Sequence, residues 1–139
     1  MKRITVLLAD DNRLVRRDIR GLLELEDDLE VVGEAKDGHQ TVAMVNKLRP
    51  ALVLMDVTMP LLNGLQATCQ ILKAFPATKV LMLSAHSDEA YIANAVNSGA
   101  MGYLKSPTAV GNRPFRDMLG LRMRRSRSVN GNASLNALS

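Results

Sequence analysis

The chain has a single cysteine, Cys69. That excludes an intrachain disulfide framework and any zinc site built on several thiolates. Nothing approaches eighteen consecutive apolar residues, so no membrane-spanning helix is expected. The N-terminus runs from Lys2 and Arg3 straight into a short apolar stretch without a small-residue cleavage site, so no signal peptide is expected. Acidic residues are scarce at the far end. Residues 108–139 hold 6 arginines against the single acid Asp117, whereas residues 1–107 hold 12 Lys/Arg against 13 Asp/Glu. The net charge of +4 is therefore a property of the tail, and basicity alone makes no case for nucleic-acid binding. A length of 139 residues suits one domain, and a cytoplasmic protein fits best.

What the chain does contain is a regular alternation. Five short apolar runs, ITVLLA (4–9), EVVGEA (30–35), ALVLM (51–55), TKVLMLS (78–84) and MGYL (101–104), alternate with helical patterns. The first is too continuously apolar for a half-exposed strand and suits one covered on both faces. From Arg13 to Leu25, Leu14, Val15, Ile19, Leu22 and Leu23 recur at helical spacing, with Asn12 available as a cap. Further helices are expected over Gly38–Leu48, with Val42 and Val45 on one face, and from about Gly64 to Lys73, presenting Leu65, Cys69 and Leu72. Another is expected from Ser87, opening on Asp88 and Glu89 and stopping at Gly99, with Ile92, Ala95 and Val96 inward. Strand–helix repeats with short links imply right-handed crossovers and a five-stranded parallel sheet with helices on both faces, an α/β fold. After residue 107 the period is lost. Gly111, Asn112 and Pro114 would disrupt an early helical turn, residues 115–125 suit a short basic helix, and the Ser/Asn/Gly/Ala-rich remainder reads as disordered. The expected division is a domain over 1–107 and an irregular basic tail over 108–139.

In open α/β sheets, ligands sit beyond the carboxyl ends of the strands. VLLADDN places Asp10 and Asp11 there after the first strand. Asp56 follows the third, Ser84 the fourth and Lys105 the last. Taken singly, each has an ordinary reading as a solvated loop residue or a cap. Together they occupy one edge of one sheet. Converging carboxylates disfavour each other's ionised forms, and a hard divalent cation such as Mg²⁺ relieves that while bridging to phosphate. A carboxylate beside Mg²⁺ can attack a phosphoryl group to form an aspartyl phosphate, with a hydroxyl and an ammonium holding the transferred oxygens.

The blocks VLLADDNRLVRRDIRGLL, EVVGEAKDG, LVLMDVTMPLLNGL and VLMLSAHSDEAYIANAVNSGAMGYLK resemble, in order and nearly in spacing, the receiver domain of two-component response regulators. The resemblance covers roughly residues 3–105 and is nearest to regulators that carry a LuxR/NarL-type helix-turn-helix. It implies a flavodoxin-like, CheY-like sheet with a final helix that is irregular or missing here. It also implies phosphorylation of Asp56 by a partner sensor histidine kinase, with Mg²⁺ held by Asp10, Asp11, Asp56 and the carbonyl of Thr58. Ser84 and Tyr103 match the switch pair, Thr58 and His86 the positions that tune phosphoryl lifetime, and Pro60 and Gly64 the loop after the acceptor. A homodimer is compatible with the resemblance.

Two departures stand out. Lysine follows the aromatic by two positions rather than three, so Ser106 stands where the family places lysine; Lys105 is expected to reach the phosphoryl site through its long stem. No helix-turn-helix pattern follows residue 107, so direct sequence-specific DNA binding is not expected. Two rivals remain. A haloacid-dehalogenase-like phosphatase would need an acid at position 58, which is Thr58. A receiver-like interaction module that has lost switching is the other.

Overall fold

The computed structural model describes residues 3–57, 59–83, 93–94, 97–105 and 107–121. Strands β1 (Ile4–Ala9), β2 (Leu29–Ala35), β3 (Leu52–Asp56), β4 (Lys79–Leu83) and β5 (Gly102–Leu104) form one sheet in the order β2-β1-β3-β4-β5, and every pairing is parallel. Helices α1 (Arg13–Glu24), α2 (Gly38–Leu48) and α3 (Gly64–Ala74) follow the first three strands, and a short helix α4 (Arg113–Met118) follows β5. Asn94 and Asn97 are helical, and Gly99 takes φ 98, a left-handed conformation open to glycine, at the end of that segment. The rest of the helix expected from Ser87 lies outside the described residues. Among the described residues no helix is long and apolar enough to cross a membrane.

Burial explains the apolar strands. Side chains alternate between faces, so each central strand feeds two cores. Leu7, Ala9, Val53, Met55, Val80 and Met82 face one side, with Val45 of α2 and Ala67 and Ile71 of α3. Val6, Leu8, Leu54, Leu81 and Leu104 face the other, with Ile19 and Leu23 of α1 and Phe115 of α4. Each large side chain buried in this way contributes about 1.5–3 kcal/mol.

The helices start where their caps dictate. The Asn12 side chain accepts from the Leu14 and Val15 amides, Asp37 from Gln40, and Asn63 forms a reciprocal box with Gln66. The buried faces differ from expectation at two places. Leu14 lies 59% exposed at the start of α1, while Val15, Ile19, Leu22 and Leu23 pack toward the sheet as expected. In α3 the buried residues are Gly64, Ala67, Thr68 and Ile71; Leu65 and Leu72 pack against the same core as expected, whereas Cys69 is exposed. Thr68 fits there because its hydroxyl donates to the Gly64 carbonyl at 2.7 Å.

The segment after β5 also departs from the sequence reading. Asn112 caps α4 by accepting from the Phe115 amide, and Pro114 sits in the first turn, where its missing N–H costs nothing. The residues expected to disrupt a helix therefore start one. It ends at Met118, after which Gly120 adopts φ 68 and its amide turns back to the Asp117 carbonyl; residues 122–139, which hold the rest of the expected helix and tail, lie outside the described residues. Phe115 is fully buried, and Arg116 makes a buried ion pair with Glu26 at the end of α1.

Candidate functional site

The strand order changes direction of growth between β1 and β3, which in open α/β sheets marks the ligand crevice. Ala9 pairs with Met55. The next residues on the two strands, Asp10 and Asp56, therefore emerge side by side at the carboxyl edge. One oxygen from each of Asp10, Asp11 and Asp56 lies within 4.8 Å of the others. Three carboxylate oxygens gathered in this way could hold a divalent cation, for which hard oxygen donors are the usual ligands.

The three carboxylates are not equivalent. Asp10 is 8% exposed, Asp56 half-buried and Asp11 exposed. Burial pushes the Asp10 carboxyl above the usual carboxylate range, and the neighbouring Asp11 adds to the rise. The Asn12 amide, donating to Asp10 Oδ1 at 2.8 Å, and the charge of Arg16 oppose it. A cation placed among the three oxygens would favour the ionised form that burial disfavours.

The loop after Asp56 is set by close packing. The Gly64 amide donates to the Val57 carbonyl at 2.9 Å, and a Cβ on Gly64 would lie 2.1 Å from the Asp56 carbonyl oxygen. A Cβ on Gly38 would likewise lie 1.8 Å from the Leu62 carbonyl. Only glycine lets the starts of α2 and α3 press this close, and they confine the loop from both sides. At its crest Leu61 is 78% exposed with φ 69.

Behind the acids lies an arrangement that pattern reading missed. Arg16 Nη1 donates to the Asp10 carbonyl at 2.6 Å, while its Nε donates to Glu34 Oε1 at 2.9 Å. Arg20 Nη1 donates to the other Glu34 oxygen at 2.6 Å. These hydrogen bonds hold the Glu34 carboxyl below its usual range even though burial pushes it up. The signal was available in principle. Arg16 is one helical turn after the cap Asn12, and parallel pairing sets Glu34 beside Leu8, two residues before Asp10.

Of the remaining residues named from sequence, Tyr103 is half-buried and packs against the core on the α2/α3 side. Lys105 lies one residue beyond Leu104, which is level with Leu83 and, through it, with Asp56. It is exposed and lines a shallow groove with Tyr103, Ala109, Asn112, Pro114 and Met118. Thr58, Ser84 and His86 lie outside the described residues.

A five-stranded parallel sheet with an aspartate triad at its β1/β3 edge defines a response regulator receiver. The family model for the response regulator receiver domain matches residues 6–112, and the chain belongs to that family. The transcriptional regulatory protein DegU of Brevibacillus brevis is 39% identical over 102 residues, covering 73% of this chain and 43% of its own length. The response regulator protein VraR of Staphylococcus aureus is 38% identical over 106 residues, covering 76% and 51%. The chain thus spans about half the length of these curated relatives. Among solved structures, the receiver domain of the Mycobacterium tuberculosis response regulator NarL superposes with a TM-score of 0.78 at 28% identity, over 86% of this chain and 99% of that one. A LuxR-family regulator from Aurantimonas gives 0.77 at 30% identity, over 87% and 89%. The receiver is thus of the LuxR/NarL kind, with the acidic cluster typical of a phosphoacceptor site.

Proposed function

We propose that this domain is the Mg²⁺-dependent phosphoacceptor of a histidine-to-aspartate relay in the cytoplasm, with Asp56 as the nucleophile. The observation that carries the reading is the convergence of the Asp10, Asp11 and Asp56 oxygens within 4.8 Å at the sheet's switch point. A carboxylate oxygen of Asp56 attacks the phosphorus of a phosphohistidine on a partner kinase. The P–N bond breaks, and the leaving imidazole nitrogen takes up a proton. Bound Mg²⁺ supplies neutralisation of charge on the transferred oxygens. Asp10, Asp11, Asp56 and the Thr58 carbonyl would hold that cation, Asp10 largely through water. Ser84 and Lys105 engage the phosphoryl oxygens, Tyr103 moves inward with Ser84, and Thr58 and His86 tune the lifetime of the phosphoryl group. The output follows the relatives named as transcriptional regulators, with self-association of receivers as the readout.

The test is incubation of the full chain with acetyl phosphate or phosphoramidate and Mg²⁺, read by intact mass and peptide mapping. One phosphoryl group on Asp56, lost in Asp56→Asn and in excess chelator, is the expected result. An unmodified wild-type chain under conditions that label another receiver would reject the reading.

A further inference from the structure

We infer that Arg16 is a positioning residue of the acidic site, holding the Asp10–Asp11 peptide so that the pair meets Asp56 in cation-binding geometry. The inference rests on the phosphoacceptor reading above. The paired residues of β1 end at Ala9. The sheet's ladder controls the chain one step further, since the Asp10 amide donates to the Ala35 carbonyl at 3.0 Å. Beyond that amide the ladder has no hold. The Asp10 carbonyl is instead gripped by Arg16 Nη1 at 2.6 Å. That carbonyl and the Asp11 nitrogen belong to one planar peptide, so holding the oxygen sets the direction in which Asp11 leaves the strand.

Arg16 can do this because its own head is held. Its planar guanidinium uses Nε on Glu34 at 2.9 Å, leaving Nη1 for the carbonyl. Glu34 is in turn anchored through its second oxygen by Arg20 at 2.6 Å. The Arg16 side chain is only 15% exposed, so solvent competes weakly for these bonds. The result is a brace from β2 through α1 to the end of β1, touching the site through one backbone oxygen.

A purely electrostatic role and a positioning role predict opposite signs. Removing a positive charge beside three carboxylates should strengthen cation binding. Removing a brace should weaken it, as changes to groups that orient metal ligands typically do by about 10–100-fold. The experiment is a Mg²⁺ titration of the full chain, followed by amide chemical shifts, on wild type, Arg16→Met, Arg16→Lys and Arg20→Met. Arg20→Met removes a partner of the same Glu34 but leaves the Asp10 carbonyl bond in place. Arg16→Met should weaken Mg²⁺ binding about tenfold or more. Arg16→Lys should recover only part of that, because one ammonium lacks the fork. Arg20→Met should lose clearly less than Arg16→Met, since Arg16 keeps its own bond to Glu34. Acetyl-phosphate labelling of Arg16→Met should approach the wild-type extent at saturating Mg²⁺. Unchanged or tighter Mg²⁺ binding by Arg16→Met, with wild type binding normally, would overturn the inference alone. Equal loss in Arg20→Met would also overturn it, reducing Arg16 to a tie between α1 and β2. A wild-type chain that binds no Mg²⁺ would overturn the phosphoacceptor reading and the inference together.

Discussion

Replacing Phe115 with alanine measures whether the segment after β5 belongs to the domain. The ring is fully buried among Leu8, Ile19, Leu23, Leu54 and Leu81 on the α1 side of the sheet. Transfer of such a side chain out of water contributes about 1.5–3 kcal/mol. The cavity left by partial relaxation brings the cost of Phe→Ala to about 3–5 kcal/mol. For a unit of this size each kcal/mol lowers Tm by about 3–5 °C, so Phe115→Ala should melt about 9–25 °C below wild type. The assay is thermal and urea unfolding by circular dichroism, with Arg113→Ala as control. Arg113 is 77% exposed and, among the described residues, makes a surface pair with Asp117, so its loss should stay within about 0.5 kcal/mol. A shift under about 3 °C for Phe115→Ala would mean that α4 does not cover the sheet, and the core would be complete without it.

Three further outcomes follow from the site. Asp10 is raised above its usual range by burial and by Asp11, so its ionised form opposes folding at neutral pH, a penalty relieved as pH falls through the raised value. Asp10→Asn should therefore raise the metal-free Tm while shrinking the added stability from Mg²⁺, which for an intact site is about 2.7 kcal/mol at a hundredfold excess over Kd; thermal melts with Mg²⁺ and with chelator check both. Glu34 is shifted the other way, so the stability it contributes is present above the ordinary glutamate range near about 4.3 and is lost as pH falls through its lowered value. Glu34→Gln should be less stable than wild type at pH 7, and the gap should close in urea melts on the acid side. Gly64→Ala should destabilise the domain and impair acetyl-phosphate labelling, because its Cβ would come within 2.1 Å of the Asp56 carbonyl and displace the acceptor; wild-type labelling by this variant would contradict the packing.

The sequence by itself determined the layered architecture and the aspartate edge. Continuous apolar runs have few ways to bury both faces, and the strand–helix alternation leaves a parallel sheet as the consistent answer. Parallel strands put all their carboxyl ends on one side, so Asp10, Asp11 and Asp56 were bound to share an edge. Tertiary structure alone decided the rest. Residues 112–114 carry composition that disrupts a helix from within and caps one from outside; which applies depends on whether a core waits for Phe115. The face of α3 followed from the close approach of Gly64 to Asp56, which turns Ala67 and Ile71 inward and leaves Cys69 in solvent. The brace from Glu34 through Arg16 to the Asp10 carbonyl joins residues on three elements, ending on a backbone atom that every residue possesses. The spacing of Arg16 and Glu34 carries a signal for their pairing, but not for the bond to the Asp10 carbonyl, because that acceptor has no letter in the sequence.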